Sequence, residues 1–126
     1  MDLLDTQIYS IIGEDGFERL VAAFYRRVPQ DPILGPLYPP QDLAGAKQRL
    51  REFLIQRFGG PQRYSDSRGH PRLRMRHAPF VIDQRARNRW VELMESALDE
   101  VKLDERAVPH LRKFFHEGAT FMINRQ

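Results

Sequence analysis

Apolar residues recur along this chain at helical spacing, and the strict alternation of a half-buried strand is almost absent. Phe17, Leu20, Val21, Phe24 and Val28 form a near-ideal stripe, with Asp15 as the expected cap and Pro29 as the stop. A shorter helix is expected around Thr6–Ile12, broken by Gly13 and Gly16. The five prolines of Pro29–Pro40 leave room only for turns or one helical turn. Asp42 opens a second strong helix, with Leu43, Ala46, Leu50, Phe53, Leu54 and Phe58 inward and Gly59-Gly60-Pro61 as its end. Residues 59–71 read as a loop, followed by a short helix over Arg72–His77 that Pro79 stops. Asp83 caps a long helix with Ala86, Trp90, Leu93, Met94, Ala97, Leu98 and Val101 on one face. The last helix runs to about Asn124, with Leu111, Phe114, Phe115, Phe121 and Met122 apolar. Its start stays open, because Asp104 as cap sets Pro109 slightly too deep. The expected fold is all-α, a single domain over residues 1–126, with four substantial helices. A long central loop in a compact helical domain usually carries function.

Composition narrows the chemistry. Hydrophobic residues make up 41% and charged residues 29%, the balance of a folded globular chain. No apolar run approaches the length of a membrane span, and the opening MDLLDTQIYS is acidic where a signal peptide is basic. The expected location is therefore the cytoplasm, with no membrane partner. The chain has no cysteine, which excludes disulfides, thiolate metal sites, cysteine nucleophiles and covalently attached c-type haem. The sequence pI is about 9.6, but the basic character is local. Residues 57–77 hold six arginines against Asp66, a balance of +5, while the whole chain carries +3. Such a focused patch suits an anionic partner: nucleic acid, a membrane surface or the carboxylates of a cofactor.

None of the four histidines, His70, His77, His110 and His116, forms a helical zinc pair, and phosphate-loop and nucleophile-elbow patterns are missing. His77 differs from the others in its surroundings. Arginines alternate before it, and Met75, Phe80, Val81 and Ile82 flank it. A haem needs this combination: apolar contacts for the macrocycle, one neutral imidazole for the iron and cations for the propionates. On the residues alone, a structural histidine is the commoner outcome. By the same standard Tyr25 and Trp90 read as core aromatics with a satisfied polar tip. Tyr38 reads as a packing lid, Ala46 and Leu50 as plain core positions, His110 and His116 as surface residues, and His70 as a loop-fixing or rim residue.

The stretch Gly59-Gly-Pro-Gln-Arg-Tyr64-Ser-Asp-Ser-Arg-Gly69-His-Pro-Arg-Leu-Arg-Met-Arg-His77-Ala-Pro-Phe80 resembles the signature of the second group of truncated haemoglobins. Phe24-Tyr25, Leu37-Tyr38-Pro39, Asp42-Leu-Ala-Gly-Ala46 and Arg89-Trp90 resemble the same group, in its order and approximate spacing. Arg57-Phe58 departs from it, standing where an aromatic pair often ending in tryptophan precedes the double glycine. The resemblance implies a shortened globin fold, a two-over-two helical sandwich around a non-covalent haem b.

It further implies His77 as the metal ligand and Tyr25, Tyr38 and Trp90 as polar groups on the ligand-binding side. Ala46 stands where many globins carry a distal histidine, and Leu50 forms an apolar roof. For the propionates, Arg49, Tyr64 and Arg76 are expected, with Arg68 and His70 in reserve; no catalytic residue is assigned. The implied function is binding of dioxygen and other diatomic ligands at a pentacoordinate iron. Nitric oxide dioxygenation or peroxidase-like chemistry could accompany it, with a reductase as partner and a monomer or homodimer as the working state. Each O–H or N–H donor is worth about 0.5–1.5 kcal/mol to a polar diatomic ligand. Slow release follows, which suits a sensor, scavenger or redox catalyst better than oxygen transport. The competing expectation is a small basic helical module, for nucleic acid or protein contact, without cofactor. Against it stands the lack of aromatic interleaving or a helix-turn-helix pattern.

Overall fold

The computed structural model describes residues 3–125, which are helical throughout apart from turns and connections. The helices are α1 (Ile8–Arg27), α2 (Leu43–Arg57), α3 (Arg63–Arg68), α4 (Leu73–Arg76), α5 (Gln84–Val101) and α6 (Val108–Phe121). α1 packs on both α2 and α5, α5 packs on α6, and α3 lies on α2. The long helices thus form two layers of two, as the family resemblance implies.

Every residue of the first stripe, from Phe17 to Val28, is fully buried. Each such side chain contributes about 1.5–3 kcal/mol, more than a typical cap contributes. That balance explains why two expected caps serve elsewhere. The kink in α1 falls at Gly13 (φ +66°, ψ 178°), a conformation that glycine adopts at little cost. Gly16 does not break the helix. Asp15 accepts Arg19 Nε at 2.9 Å rather than capping, and Asp42 precedes α2 with its carboxylate on Arg49. Asp83 does cap α5, accepting the Ala86 N–H at 2.8 Å. The open start of α6 resolves at Ala107, which puts Pro109 in the first turn; Asp104 instead closes the preceding turn, its Oδ1 accepting the Arg106 N–H at 2.8 Å.

α6 ends at Phe121, short of the expected Asn124, and Phe121 is 63% exposed rather than inward. At 100° per residue it lies 240° round the helix from Phe115, whereas the half-buried Gly118 and Met122 continue the inward stripe. The expected loop at 59–71 contains α3, because Gln56 on α2 accepts the Ser65 N–H at 2.9 Å and donates to Ser65 Oγ at 2.7 Å. That contact fastens a turn that has no apolar stripe of its own, and Tyr64 is buried beneath it.

Two fixings position the connections. In the proline-rich segment Asp31, 5% exposed, accepts the N–H groups of Leu34 at 2.8 Å and Ile33 at 3.0 Å. Its other oxygen takes Arg89 Nε from α5. Burial pushes this carboxyl up, but the two N–H groups and the guanidinium outweigh burial and hold it below its ordinary value. At the end of α2, Gly59 (φ +101°) lies against the chain before α1, so that a Cβ there would meet the Thr6 carbonyl oxygen at 1.8 Å. Gly59→Ala is expected to lower stability by more than ~1 kcal/mol through left-handed strain alone, and the clash adds to it. Urea denaturation will show this as a lower midpoint.

Candidate functional site

Between the two layers lies a cavity of about 520 Å³, within the range of enclosed cofactor and ligand sites. Its lining comes from all six helices. Tyr25 enters from α1; Tyr38 from the proline-rich segment; Ala46, Arg49 and Leu50 from α2; Tyr64 and Arg68 from α3; Arg76 and His77 from α4 and its end; Trp90 from α5. All nine residues expected at the site therefore border one space. Of the two reserves, Arg68 borders it as well, whereas His70 is exposed and away from it. Phe53, Phe114, Phe115 and Met122 add apolar wall; these were legible only as core positions.

His77 caps the C-terminal end of α4. Its Nδ1 lies 2.7 Å from the Leu73 carbonyl, one turn earlier. A carbonyl can only accept, so Nδ1 carries the proton and the neutral ring keeps its lone pair on Nε2. This is the tautomer that metal ligation through Nε2 requires. Among the expected apolar flanks, Phe80 and Ile82 line the cavity, but Met75 (60% exposed) and Val81 (55% exposed) face away from it. For Met75 the reason is angular: residues 75 and 77 lie about 200° apart on a helix and cannot share a face.

Away from His77 the cavity wall is aromatic and polar. Tyr25 and Tyr38 meet edge to face with centroids 5.7 Å apart, and Phe24 bridges Tyr25 (5.1 Å) and Trp90 (5.2 Å). Burial pushes the Tyr25 phenol well above its ordinary range, and the adjoining Tyr38 reinforces it. Burial also raises Tyr38, and the neighbouring Trp90 and Tyr25 act against that rise without cancelling it. Both hydroxyls therefore stay protonated and able to donate across the physiological range. Ala46 supplies no donor, and Leu50 beside it is apolar.

The expected carboxylate binders are partly committed already. Arg49 reaches Asp42 at 2.6 Å through Nη2, and Asp42 holds the guanidinium charged while Arg49 holds the Asp42 carboxyl below its ordinary value. Arg76 donates from Nε to Pro71 O (2.9 Å) and from Nη2 to Arg68 O (2.8 Å), which leaves Nη1. Tyr64 stands edge-on to Phe53 at 5.6 Å, with the Arg68 guanidinium 6.0 Å above its ring.

The basic patch is largely consumed within the fold. Arg57 pairs with Asp5 at 3.0 Å and lies over the Phe58 and Phe114 rings, and Arg63 pairs with Glu14 at 2.5 Å. Arg74 reaches the Ile123 carbonyl at 3.3 Å. An array of free phosphate-binding cations is thus not what these residues make, and a cofactor-free nucleic-acid module finds no support. His110, expected at the surface, is half-buried with Nδ1 on Asp5 at 2.7 Å; this bond is the largest cause of a lowered Asp5 carboxyl. His116 lies 3.6 Å from Glu95. No helix among the described residues is long and apolar enough to cross a membrane.

Comparison with known proteins agrees with this geometry. The bacterial-like globin family model matches residues 7–124. The chain is 41% identical to the group 2 truncated haemoglobin YjbI of Bacillus subtilis over 116 residues, 92% of this chain and 87% of that one. Its structure superposes on the haemoglobin of Chloroflexus aurantiacus with TM-score 0.90 and 50% identity, over 94% of this chain and 98% of that one. The truncated oxygen-avid haemoglobin of Bacillus subtilis gives 0.87 and 37%, over 93% and 98%. A central cavity with an imidazole in the metal-binding tautomer, apolar walls and cations at its edge fits a haem, and by sequence and by fold the chain belongs to the bacterial-like globins as a group 2 truncated haemoglobin, a haem b protein that binds ligands at its haem.

Proposed function

We propose that the chain binds dioxygen and other diatomic ligands at a pentacoordinate haem whose protein ligand is His77 Nε2, and that it uses this for redox detoxification in the cytoplasm. The observation that carries the proposal is the 2.7 Å bond from His77 Nδ1 to the Leu73 carbonyl, inside a cavity that also holds Tyr25, Tyr38 and Trp90. The haem supplies a redox-active iron; the protein residues supply orientation and polarity. The Leu73 carbonyl orients the imidazole and fixes its tautomer. Tyr25, Tyr38 and Trp90 donate hydrogen bonds to a polar diatomic ligand, in the absence of any donor from Ala46. Leu50 limits water near the ligand. Arg49, Tyr64 and Arg76 face the cofactor's carboxylates. Two phenols and an indole in one aromatic cluster also suit electron delivery to peroxide. The Bacillus subtilis protein is oxygen-avid, and the three donors at this cavity support the same trait here.

Oxygen dissociation from the reduced protein tests the proposal. Tyr25→Phe, Tyr38→Phe and Trp90→Phe should each speed release by about 2- to 12-fold, the equivalent of one neutral hydrogen bond. Rates unchanged in all three would remove these donors from the ligand site. Adding nitric oxide to the air-equilibrated reduced protein should give nitrate and ferric protein within the mixing time. Failure to form nitrate would end the dioxygenase reading, and failure to take up haemin would end the whole proposal.

A further inference from the structure

The chain after α6 turns back onto the segment that carries His77, and Asn124 is at the centre of that contact. Its Nδ2 donates to the Phe80 carbonyl at 2.9 Å and to the His77 carbonyl at 3.3 Å, while its Oδ1 accepts the Ile82 N–H at 2.9 Å. The backbone adds two bonds to the Ile82 carbonyl, from the N–H groups of Asn124 at 2.8 Å and Arg125 at 3.1 Å. The Phe80 N–H closes a turn on the His77 carbonyl at 3.0 Å, so one carboxamide grips both ends of the turn that begins at His77.

Arg74 and Arg76 tie down α4, but the turn from His77 to Ile82 has little else to hold it. α4 is one turn long, and residues 78–83 belong to no helix. Met75, Phe80 and Val81 are exposed, so apolar burial contributes little here. Only a carboxamide offers two donor hydrogens and an acceptor from one short side chain, which is what two carbonyls and one N–H require. A carboxylate of the same shape would keep the Ile82 bond and turn negative oxygen toward two carbonyls.

We propose that Asn124 is a positioning residue for the His77 imidazole: by clamping the turn from His77 to Ile82 it keeps Nε2 in one direction toward the cavity. The inference rests on the proposed role of His77. Outer partners of a metal-bound imidazole typically change metal-site affinity by about 10- to 100-fold, which sets the expected scale.

The test compares the haemin-loaded parent with Asn124→Asp and Asn124→Ala. Haemin transfer to excess apomyoglobin should accelerate by about 10-fold or more in both. In the reduced, ligand-free protein the iron–histidine Raman band should broaden and shift. Should Asn124→Ala fail to fold, Asn124→Asp, which retains the Ile82 acceptor, reads the same two signals. An unchanged band and an unchanged transfer rate would overturn the proposal. So would a loss of apoprotein stability to urea with the band unmoved, since that is the mark of a structural role alone. A parent protein with no iron–histidine band, or a band that survives in His77→Ala, would instead refute His77 as ligand and take the Asn124 proposal with it.

Discussion

Replacing His77 with glycine is expected to weaken haemin binding by more than ~100-fold and to remove the Soret features of a histidine-ligated protein. The magnitude follows from position: changing a residue one shell further out typically costs about 10- to 100-fold, and the ligand itself contributes more. The loss should be local. His77 is half-buried at the end of the four-residue α4, outside the core built from Phe17, Leu20, Phe24, Leu54 and Phe58, so the apoprotein should keep its fold by circular dichroism. Free imidazole added at millimolar levels should occupy the space left by the side chain and restore the spectrum, which loss of packing could not explain. His70→Ala and His116→Ala serve as controls, because neither residue lines the cavity. A parental spectrum in His77→Gly would sink the assignment.

Asp31→Asn is expected to lower stability by about 1–3 kcal/mol, a large share of the 5–15 kcal/mol typical of a domain. The buried carboxylate serves three donors, the N–H groups of Ile33 and Leu34 and the Arg89 guanidinium. Asparagine can keep the N–H groups only by turning its own NH₂ toward Arg89. Arg89 retains Glu92 at 2.7 Å, which moderates the cost. Because the folded-state carboxyl lies below its ordinary value of 3.8, its stabilising contribution is full above that value and is lost as pH falls through the folded value. Tyr25 and Tyr38 act at the other limb. Both are raised above 10.0, so their contribution is full below that pH and is lost as pH rises beyond it. Urea midpoints against pH should therefore show the acid limb flattened in Asp31→Asn and the alkaline limb unchanged. Asp31 also ties the segment carrying Tyr38 to the helix carrying Trp90, so oxygen release should quicken in the same variant. Equal stability of parent and variant at neutral pH would contradict this account.

What was legible in the chain divides by the range of the interactions involved. α1, α2, α5 and α6 announce themselves through stripes such as Phe17–Val28, where burial of several large side chains overrides local detail. The cavity residues were legible through motif order, and each arrived at the same space. α3 was hidden, because it is held by the Gln56–Ser65 contact across nine residues and not by a periodic face. Asp15 and Asp42 resemble caps in sequence, yet an arginine one or two turns on offers each a stronger partner. Arg76 was readable as a cation near a carboxylate, but not as a clamp on the Arg68 and Pro71 carbonyls. Asn124 gave no signal at all: an asparagine after a helix looks like a stop, and its partners lie more than forty residues away.

The Arg49–Asp42 pair at the cavity edge changes what capture of a carboxylate there means. The guanidinium is already paired, so on the proposed reading an incoming carboxylate would share it with Asp42 or displace that residue. The electrostatic gain is the difference between two similar pairs and is accordingly small. On that reading selection of the guest would fall to shape and to the proposed His77 ligation, while Asp42 acts as a counter-ion to the Arg49 charge. Uptake at this corner would then be ion exchange, and removing Asp42 would make the corner stickier for any anion, the right one included.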